Sequence, residues 1–337
     1  MATTHMFGWD SRMGESASKR VTLPGMCVSA GAVACVATLL GFAGRFWWVF
    51  DLFSHFRVQY LLSLSLVVFL TLLARRFRAS GVLGLFAAVN LACILPYYLP
   101  VDSTMHGGST ALRCISLNVH TANDRFDLVK QLMRDRDPDV VLLMEVNAEW
   151  IEAMEELRPV YPHQQVEPRE DNFGIALYSK RAFTTCGIVY LGRAEVPSVV
   201  GEVEVAGRRL TIVGTHPLPP MSAAYTAFRN DQLDAVAQYM AAATGPKIVM
   251  GDLNTSPWSH CFGRLLSRAE LADSSRGRGV QATWPTNLIW LRIPIDFCLV
   301  SDGIVVKDKQ VGTNVGSDHF PLIVDVALAD GPGSLVR

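Results

Sequence analysis

Three long stretches without a charged side chain, one after another, constrain this chain more than any motif in it. Residues 25–44 carry no charge, residues 58–74 lie between Arg57 and Arg75, and residues 79–101 run from Arg78 to Asp102. Each approaches the ~20 residues a helix needs to cross the hydrocarbon core of a bilayer. Trp47, Trp48, Tyr60, Tyr97 and Tyr98 fall near their ends, where amphipathic rings favour the membrane–water interface. The expectation is a three-helix transmembrane region over residues 23–101, preceded by a cytoplasmic segment, 1–22. Arg12, Lys19 and Arg20 precede the first span, and Arg75, Arg76 and Arg78 crowd the link between the second and third. Both groups belong in the cytoplasm, although Arg45 and Arg57 in the first link count the other way. Three spans then put everything after Val101 on the extracytoplasmic face of a multi-pass cell-membrane protein. Ala32-Val33-Ala34 has the form of a signal-peptide cleavage site, but the apolar run continues past it, so an uncleaved anchor is expected.

Charge is unevenly placed. Eight of the 30 Lys/Arg and three of the 31 Asp/Glu lie in residues 1–100, so the remainder holds 22 basic and 28 acidic residues. No broad basic field exists to grip nucleic acid by its phosphates, although a bound divalent cation supplies local positive charge. None of the seven cysteines forms a CxxC pair, which argues against zinc. Cys114 and Cys298 sit in apolar runs as small core residues, and a disulfide among Cys114, Cys186, Cys261 and Cys298 stays open.

Beyond a Gly/Ser-rich linker, residues 102–110, apolar strand-like runs repeatedly end in a polar residue. Residues 112–117 lead to Asn118, with His120 just beyond, and residues 140–144 lead to Glu145. A carboxylate beside an amide oxygen is a hard-oxygen environment suited to Mg²⁺, while a Glu after a strand also reads as a solvated helix start. Between them, Phe126, Val129, Leu132 and Met133 share one helical face. Residues 174–179 form a further strand, and residues 199–205 and 208–213 a hairpin turning at Ala206-Gly207, ending in Gly214-Thr215-His216. His216 is either a site residue or a loop histidine. Ser222 caps a helix through Met240 that carries Arg229, a phosphate clamp or a solvent-facing charge. Residues 248–250 form a buried strand, after which Gly251 permits a turn that delivers Asp252 and Asn254. An acid and an amide two residues apart can take a proton from, and donate hydrogen bonds to, one reacting centre. Asp296 opens an apolar strand, an awkward place for an unpartnered charge. Finally, Ser317-Asp318-His319 precedes the strand beginning at Leu322.

This order, from Asn118 and Glu145 through His216, Asp252-Leu253-Asn254 and Asp296 to Ser317-Asp318-His319, resembles the endonuclease/exonuclease/phosphatase superfamily. Its members include deoxyribonuclease-I-like nucleases, neutral sphingomyelinases and inositol-polyphosphate 5-phosphatases, and this chain resembles a membrane-anchored bacterial-type member. The resemblance covers residues 111–328, with 329–337 left as a tail. It implies an α/β (α+β) fold, a four-layer αββα sandwich, and cleavage of a phosphoester with Mg²⁺, or alternatively Mn²⁺. It further implies Glu145, Asn118 and Asp318 as metal ligands and Asp252 as the residue that orients or deprotonates water. Asn254 and His319 would stabilise phosphoryl oxygens, with Asp318 holding the His319 ring, Asp296 would steady a catalytic partner, and His216 would lie near the leaving oxygen. Deoxyribonuclease-like members pair that histidine with a Glu; here Asp171-Asn172-Phe173 stands instead, leaving Asn172 as an uncharged substrate contact. The expected substrate is a phosphodiester, nucleic acid or nucleotide-like. The alternatives are a lipid headgroup or inositol phosphate, for which tethering argues but no apolar substrate loop is evident, and an inactive binding module. The bilayer is the expected partner, and no obligate protein partner is inferred.

Overall fold

The structure is a computed structural model that describes residues 23–101 and 107–329. The segment 1–22 with Arg12, Lys19 and Arg20, residues 102–106 of the linker, and the tail from residue 330 lie outside the described residues.

The N-terminal region is built from helices α1 (Leu23–Phe42), α2 (Trp48–Leu52), α3 (Arg57–Leu73) and α4 (Phe77–Ile94). It contains three helical segments long and apolar enough to cross a membrane: Gly25–Phe42, Trp48–Leu73 and Phe77–Tyr97. Ala34, Cys35, Leu64, Val67 and Leu83 pack between them, whereas Val33, Leu62, Phe69 and Leu85 face outward. Arg57 is buried, not loop-exposed: its Nη1 donates to the Thr38 carbonyl at 3.0 Å, and Asn90 Nδ2 donates to Thr38 Oγ1 at 2.9 Å. That polar knot satisfies groups that lipid would leave bare.

Among the described residues, the remainder has twelve strands: β1 (Gly107–Asn118), β2 (Val140–Met144), β3 (His163–Glu167), β4 (Ile175–Ser179), β5 (Phe183–Tyr190), β6 (Pro197–Val205), β7 (Arg208–Thr215), β8 (Lys247–Asp252), β9 (Leu271–Asp273), β10 (Asp296–Ser301), β11 (Ile304–Val311) and β12 (Leu322–Ala329). They form two mixed six-stranded sheets, β11-β12-β1-β2-β4-β3 and β5-β6-β7-β8-β10-β9. Residues 107–110 thus belong to β1 rather than to a linker, and Ala329 closes β12.

Period-2 alternation sends Leu112, Cys114, Leu142 and Met144 of the first sheet inward against Val199, Ile212, Ile248 and Met250 of the second. The outward set of the first sheet, Ile115, Leu117, Val141 and Leu143, packs under α5 (Phe126–Arg136) and α6 (Ala148–Met154) through Val129, Met133 and Trp150. On the other side, Val213, Val249 and Phe297 pack under α7 (Ala223–Ala242) and α8 (His260–Ala269). The expected four-layer αββα sandwich is present, and because both faces of each sheet are covered, β2 and residues 248–250 of β8 read as unbroken apolar runs. Cys114 and Cys298 lie in the inter-sheet core, and all seven cysteines are free thiols.

Candidate active site

Strand direction gathers the polar residues at one edge. β1 and β2 run parallel, as do β7 and β8, so Asn118, Glu145, His216 and Asp252 emerge together. β10 runs antiparallel to β8 and sets its first residue, Asp296, directly opposite Asp252. β12 runs antiparallel to β1, so the loop before it brings Asp318 and His319 to the same edge. Gly251 is needed here: at φ +147° a Cβ would meet the Thr215 carbonyl oxygen at 1.9 Å. The sheets touch at this point, with the Asp252 N–H 3.1 Å from Met144 Sδ, and Ser317 Oγ donating to the Asn118 carbonyl at 2.7 Å.

Asp252 is buried at the centre. His216 Nε2 lies 3.5 Å and His319 Nε2 3.6 Å from its Oδ2, Asn118 Nδ2 lies 3.5 Å from the same oxygen, and the Asn254 N–H donates to Oδ1 at 2.9 Å. Burial opposes its charge, but the two imidazoles and the backbone bond outweigh burial and hold its pKa below the usual carboxylate value. On the far side of His319, Asp296 Oδ2 meets Nδ1 at 2.9 Å, so the acid that holds this ring is Asp296 and not, as expected, Asp318, which accepts from Trp284 instead. Burial disfavours charge on that ring too, yet Asp296 and Asp252 push it up to about 10. His319 is therefore an imidazolium at neutral pH. His216, likewise buried, is raised above its ordinary value by Asp252 and Glu145.

Two groups of donors face this centre. Asp252, Asp296 and His319 each offer an atom within 4.8 Å of the others, but two of these groups are already bonded to each other, His319 Nδ1 to Asp296 Oδ2 at 2.9 Å. The other group is all oxygen. Glu145, at φ +62°, accepts from Asn118 Nδ2 at 2.7 Å and from the Thr121 N–H at 3.2 Å. Asp318 accepts from Trp284 Nε1 at 3.0 Å. His120 Nδ1 sits between these carboxylates, 3.8 Å from Glu145 and 3.6 Å from Asp318. Two carboxylates converging on a position within reach of solvent suit a hard, partly hydrated divalent cation.

Asn118, Glu145, His216, Asp252, Asn254, Asp296, Asp318 and His319 thus come together as expected. Asn254, at φ +48°, gives one side-chain N–H to the Pro217 carbonyl at 2.9 Å and keeps the other. Asn172, at φ +67°, lines the cleft. His216 Nδ1 is buried without a partner: Phe173 stacks on the ring at 5.5 Å, and Asp171 is turned away to Arg169 Nε at 2.9 Å.

Arg229 requires a correction. It is neither a substrate clamp nor solvent-facing, but fully buried. Its Nη2 pairs with Asp51 Oδ2 of α2 at 2.8 Å, and its Nη1 donates to the Asn254 carbonyl at 3.0 Å. The N-terminal helices grip the loop after β8 at further points. Ser259 Oγ donates to Asp51 Oδ1 at 2.6 Å, His55 Nδ1 meets Ser256 Oγ at 2.8 Å, and Trp258 Nε1 donates to the Cys93 carbonyl at 3.1 Å. The signal for Asp51 was present: it is the only acidic residue between Glu15 and Asp102, and an acid set among apolar residues calls for a partner. The resulting cleft, about 720 Å³, is bounded by Glu145, Asn172, His216, Asp252, Asp318 and His319 on one side and by Leu52, His55 and Phe56 on the other.

Residues 115–319 match the family described as Endonuclease/Exonuclease/phosphatase family. Several solved structures share the fold at low identity. The human Nocturnin catalytic domain with bound sulfate anion is 20% identical, with TM-score 0.55 over 66% of this chain and 97% of that one. D. rerio TDP2 complexed with single strand DNA product is 17% identical, with TM-score 0.56 over 65% and 99%. The endonuclease/exonuclease/phosphatase from Bacteroides vulgatus is 18% identical, with TM-score 0.54 over 65% and 100%. No curated protein matches the chain.

Proposed function

The chain belongs to the endonuclease/exonuclease/phosphatase family and is a metal-dependent phosphoester hydrolase; from that premise we propose that it is a membrane-anchored, Mg²⁺-dependent phosphodiesterase working by in-line attack of water. The observation that carries this is the buried Asp252 carboxylate, held ionised among His216, His319, Asn118 and the Asn254 amide and flanked by the carboxylates of Glu145 and Asp318. Glu145 and Asp318, with Asn118 beside them, are the residues that would hold Mg²⁺. Bound there, the cation supplies charge neutralisation at the phosphoryl oxygens.

The remaining roles belong to the chain's own groups. Asp252 orients the attacking water and takes its proton. His319, fixed as an imidazolium by Asp296, and the free amide N–H of Asn254 meet the charge on the transferring phosphoryl group. His216 steadies Asp252. With Nδ1 buried and no carboxylate bonded to it among the described residues, His216 is not built as a leaving-group acid, and the departing oxygen draws its proton from water. Among the described residues lining the cleft there is no Lys or Arg, which favours a compact diester over a polynucleotide.

The test is turnover of a soluble aryl phosphodiester by the full-length protein in detergent. EDTA abolishes it, Mg²⁺ or Mn²⁺ restores it, and Glu145→Gln raises the metal concentration needed by about 10- to 100-fold, since a lost carboxylate weakens a hard-cation site. Metal-independent turnover overturns the mechanism.

The orientation proposed for the catalytic domain is extracytoplasmic. The α3–α4 link with Arg75 and Arg76 lies a helix length, about 25 Å, from the shelf that contacts the domain, as a cytoplasmic basic link requires. A reporter fused after residue 337 is expected to be active outside the cytoplasm, and activity only inside reverses the assignment.

A further inference from the structure

We propose that the substrate is a phosphodiester carried on a membrane lipid, admitted to the cleft from the leaflet against which the catalytic domain rests. The proposal depends on the hydrolase reading above and names the substrate class of that same site.

The first observation is the cleft's composition. Its wall opposite the catalytic carboxylates is not part of the sandwich: Leu52 ends α2, and His55 and Phe56 come from the segment joining α2 to α3. The opening between that wall and the site is edged by Pro219, Pro220, Met221 and Tyr225, with Met221 76% exposed. A phosphodiester reaching Asp252 therefore passes between an apolar rim and the start of a membrane helix.

The second observation is independent of the cleft. Leu288, Ile289, Trp290 and Leu291 form a protruding apolar tip, with Trp290 82% exposed, between Trp284 and Ile293, which line the cleft and bridge each other. Arg292 ties the base of this loop, donating from Nη2 to the Thr286 carbonyl at 2.8 Å and from Nε to the Pro285 carbonyl at 3.1 Å. Gln59 Nε2, in the first turn of α3, donates to the Arg292 carbonyl at 2.8 Å. That bond holds the apolar tip beside a helix that is itself long and apolar enough to span. Phe46 and Trp47, both at least half exposed, sit on the same side at the link between α1 and α2. Exposed aromatics at that level mark a membrane interface, and four adjacent exposed apolar residues are costly in water but not in lipid. The loop that sequence analysis found missing is therefore present.

Acyl chains remain in the bilayer while the phosphodiester enters the site. Water adds its hydroxyl to phosphorus, one P–O ester bond breaks, and the leaving alcohol carries away a proton, so the headgroup product is released to water.

The test uses the full-length protein with Mg²⁺, on vesicles of phosphatidylethanolamine, phosphatidylglycerol or phosphatidylinositol, and separately on a soluble aryl phosphodiester in detergent. The expected result is headgroup release from at least one vesicle type. In the loop-tip variant Ile289→Glu/Trp290→Glu, that release falls by about tenfold or more as charge is forced into the interface, while soluble turnover is unchanged. Vesicle turnover unaffected by the variant, or an equal loss on both substrates, overturns the proposal. Hydrolysis of the soluble diester with no vesicle lipid attacked overturns it while leaving the hydrolase reading intact. Failure on every substrate overturns both.

Discussion

Replacing Asp252 by Asn lowers kcat on a soluble phosphodiester by roughly 10²–10⁴-fold, the range a positioned general base contributes, with the protein still folded. Asn keeps the shape and can still accept from the Asn254 N–H, so the register of Asp252 against Asp296 need not change. What disappears is the anion. Water in the cleft then lacks the group that takes its proton, and His319 loses one of the two carboxylates that keep it charged. KM for the diester changes much less, because charge neutralisation at Glu145 and Asp318 is untouched. A second readout does not depend on turnover: His216 owes its raised pKa chiefly to Asp252, so its titration, followed by NMR in Asp252→Asn, moves downward. A variant that keeps most of its kcat while the His216 titration shifts removes Asp252 from the role of base and leaves it a structural anion.

That Asp252 could be singled out without coordinates has a physical cause. It follows a strand covered on both faces, so the run before it is unbroken in apolar character, and the first polar residue marks the sheet edge. The same holds for Glu145 after Val140–Met144, whereas the strands before Asn118 and His216 carry Arg113, Ser116, Thr211 and Thr215 and mark the edge less sharply. The strands that escaped notice, β3, β5, β9 and β11, are the four outer strands of the two sheets. An edge strand is half solvated and carries mixed residues, as the exposed Lys307 and Asp308 beside the buried Lys309 show in β11, so its period blurs.

Arg229 failed differently. Its neighbours on α7 say nothing of a carboxylate 178 positions away, and its role is visible only where the N-terminal helices pack against the loop after β8. The apolar run 288–291 was equally plain as text. It had no meaning until Gln59 placed it beside a helical segment long and apolar enough to cross a membrane.

Removing Asp51 tests that docking. Asp51→Ala leaves the fully buried Arg229 guanidinium without its counter-charge, and breaking one side of a buried ion pair costs about 3–5 kcal/mol. Asn230 Oδ1 and the Asn254 carbonyl still accept from Arg229, which places the effect nearer the lower end of that range. The loss appears as a lower Tm of the detergent-solubilised full-length protein. It also appears in kcat, because the carbonyl that Arg229 holds belongs to Asn254 and Ser259 loses its acceptor on Asp51, so the loop carrying Asp252 and Asn254 loosens at both ends. Arg229→Met, which strands the carboxylate instead, has a similar effect on Tm. The double variant Asp51→Ala/Arg229→Met separates the two consequences. Replacing both partners removes the uncompensated charge, and such replacements are often neutral for stability, so Tm recovers. The bond to the Asn254 carbonyl does not return, so kcat stays low. A double variant that recovers both stability and turnover reduces Asp51–Arg229 to a docking contact. Recovery of stability alone makes the membrane region part of the active site's framework, and a catalytic domain cut free of residues 23–101 then turns over more slowly than the full chain even on a soluble substrate.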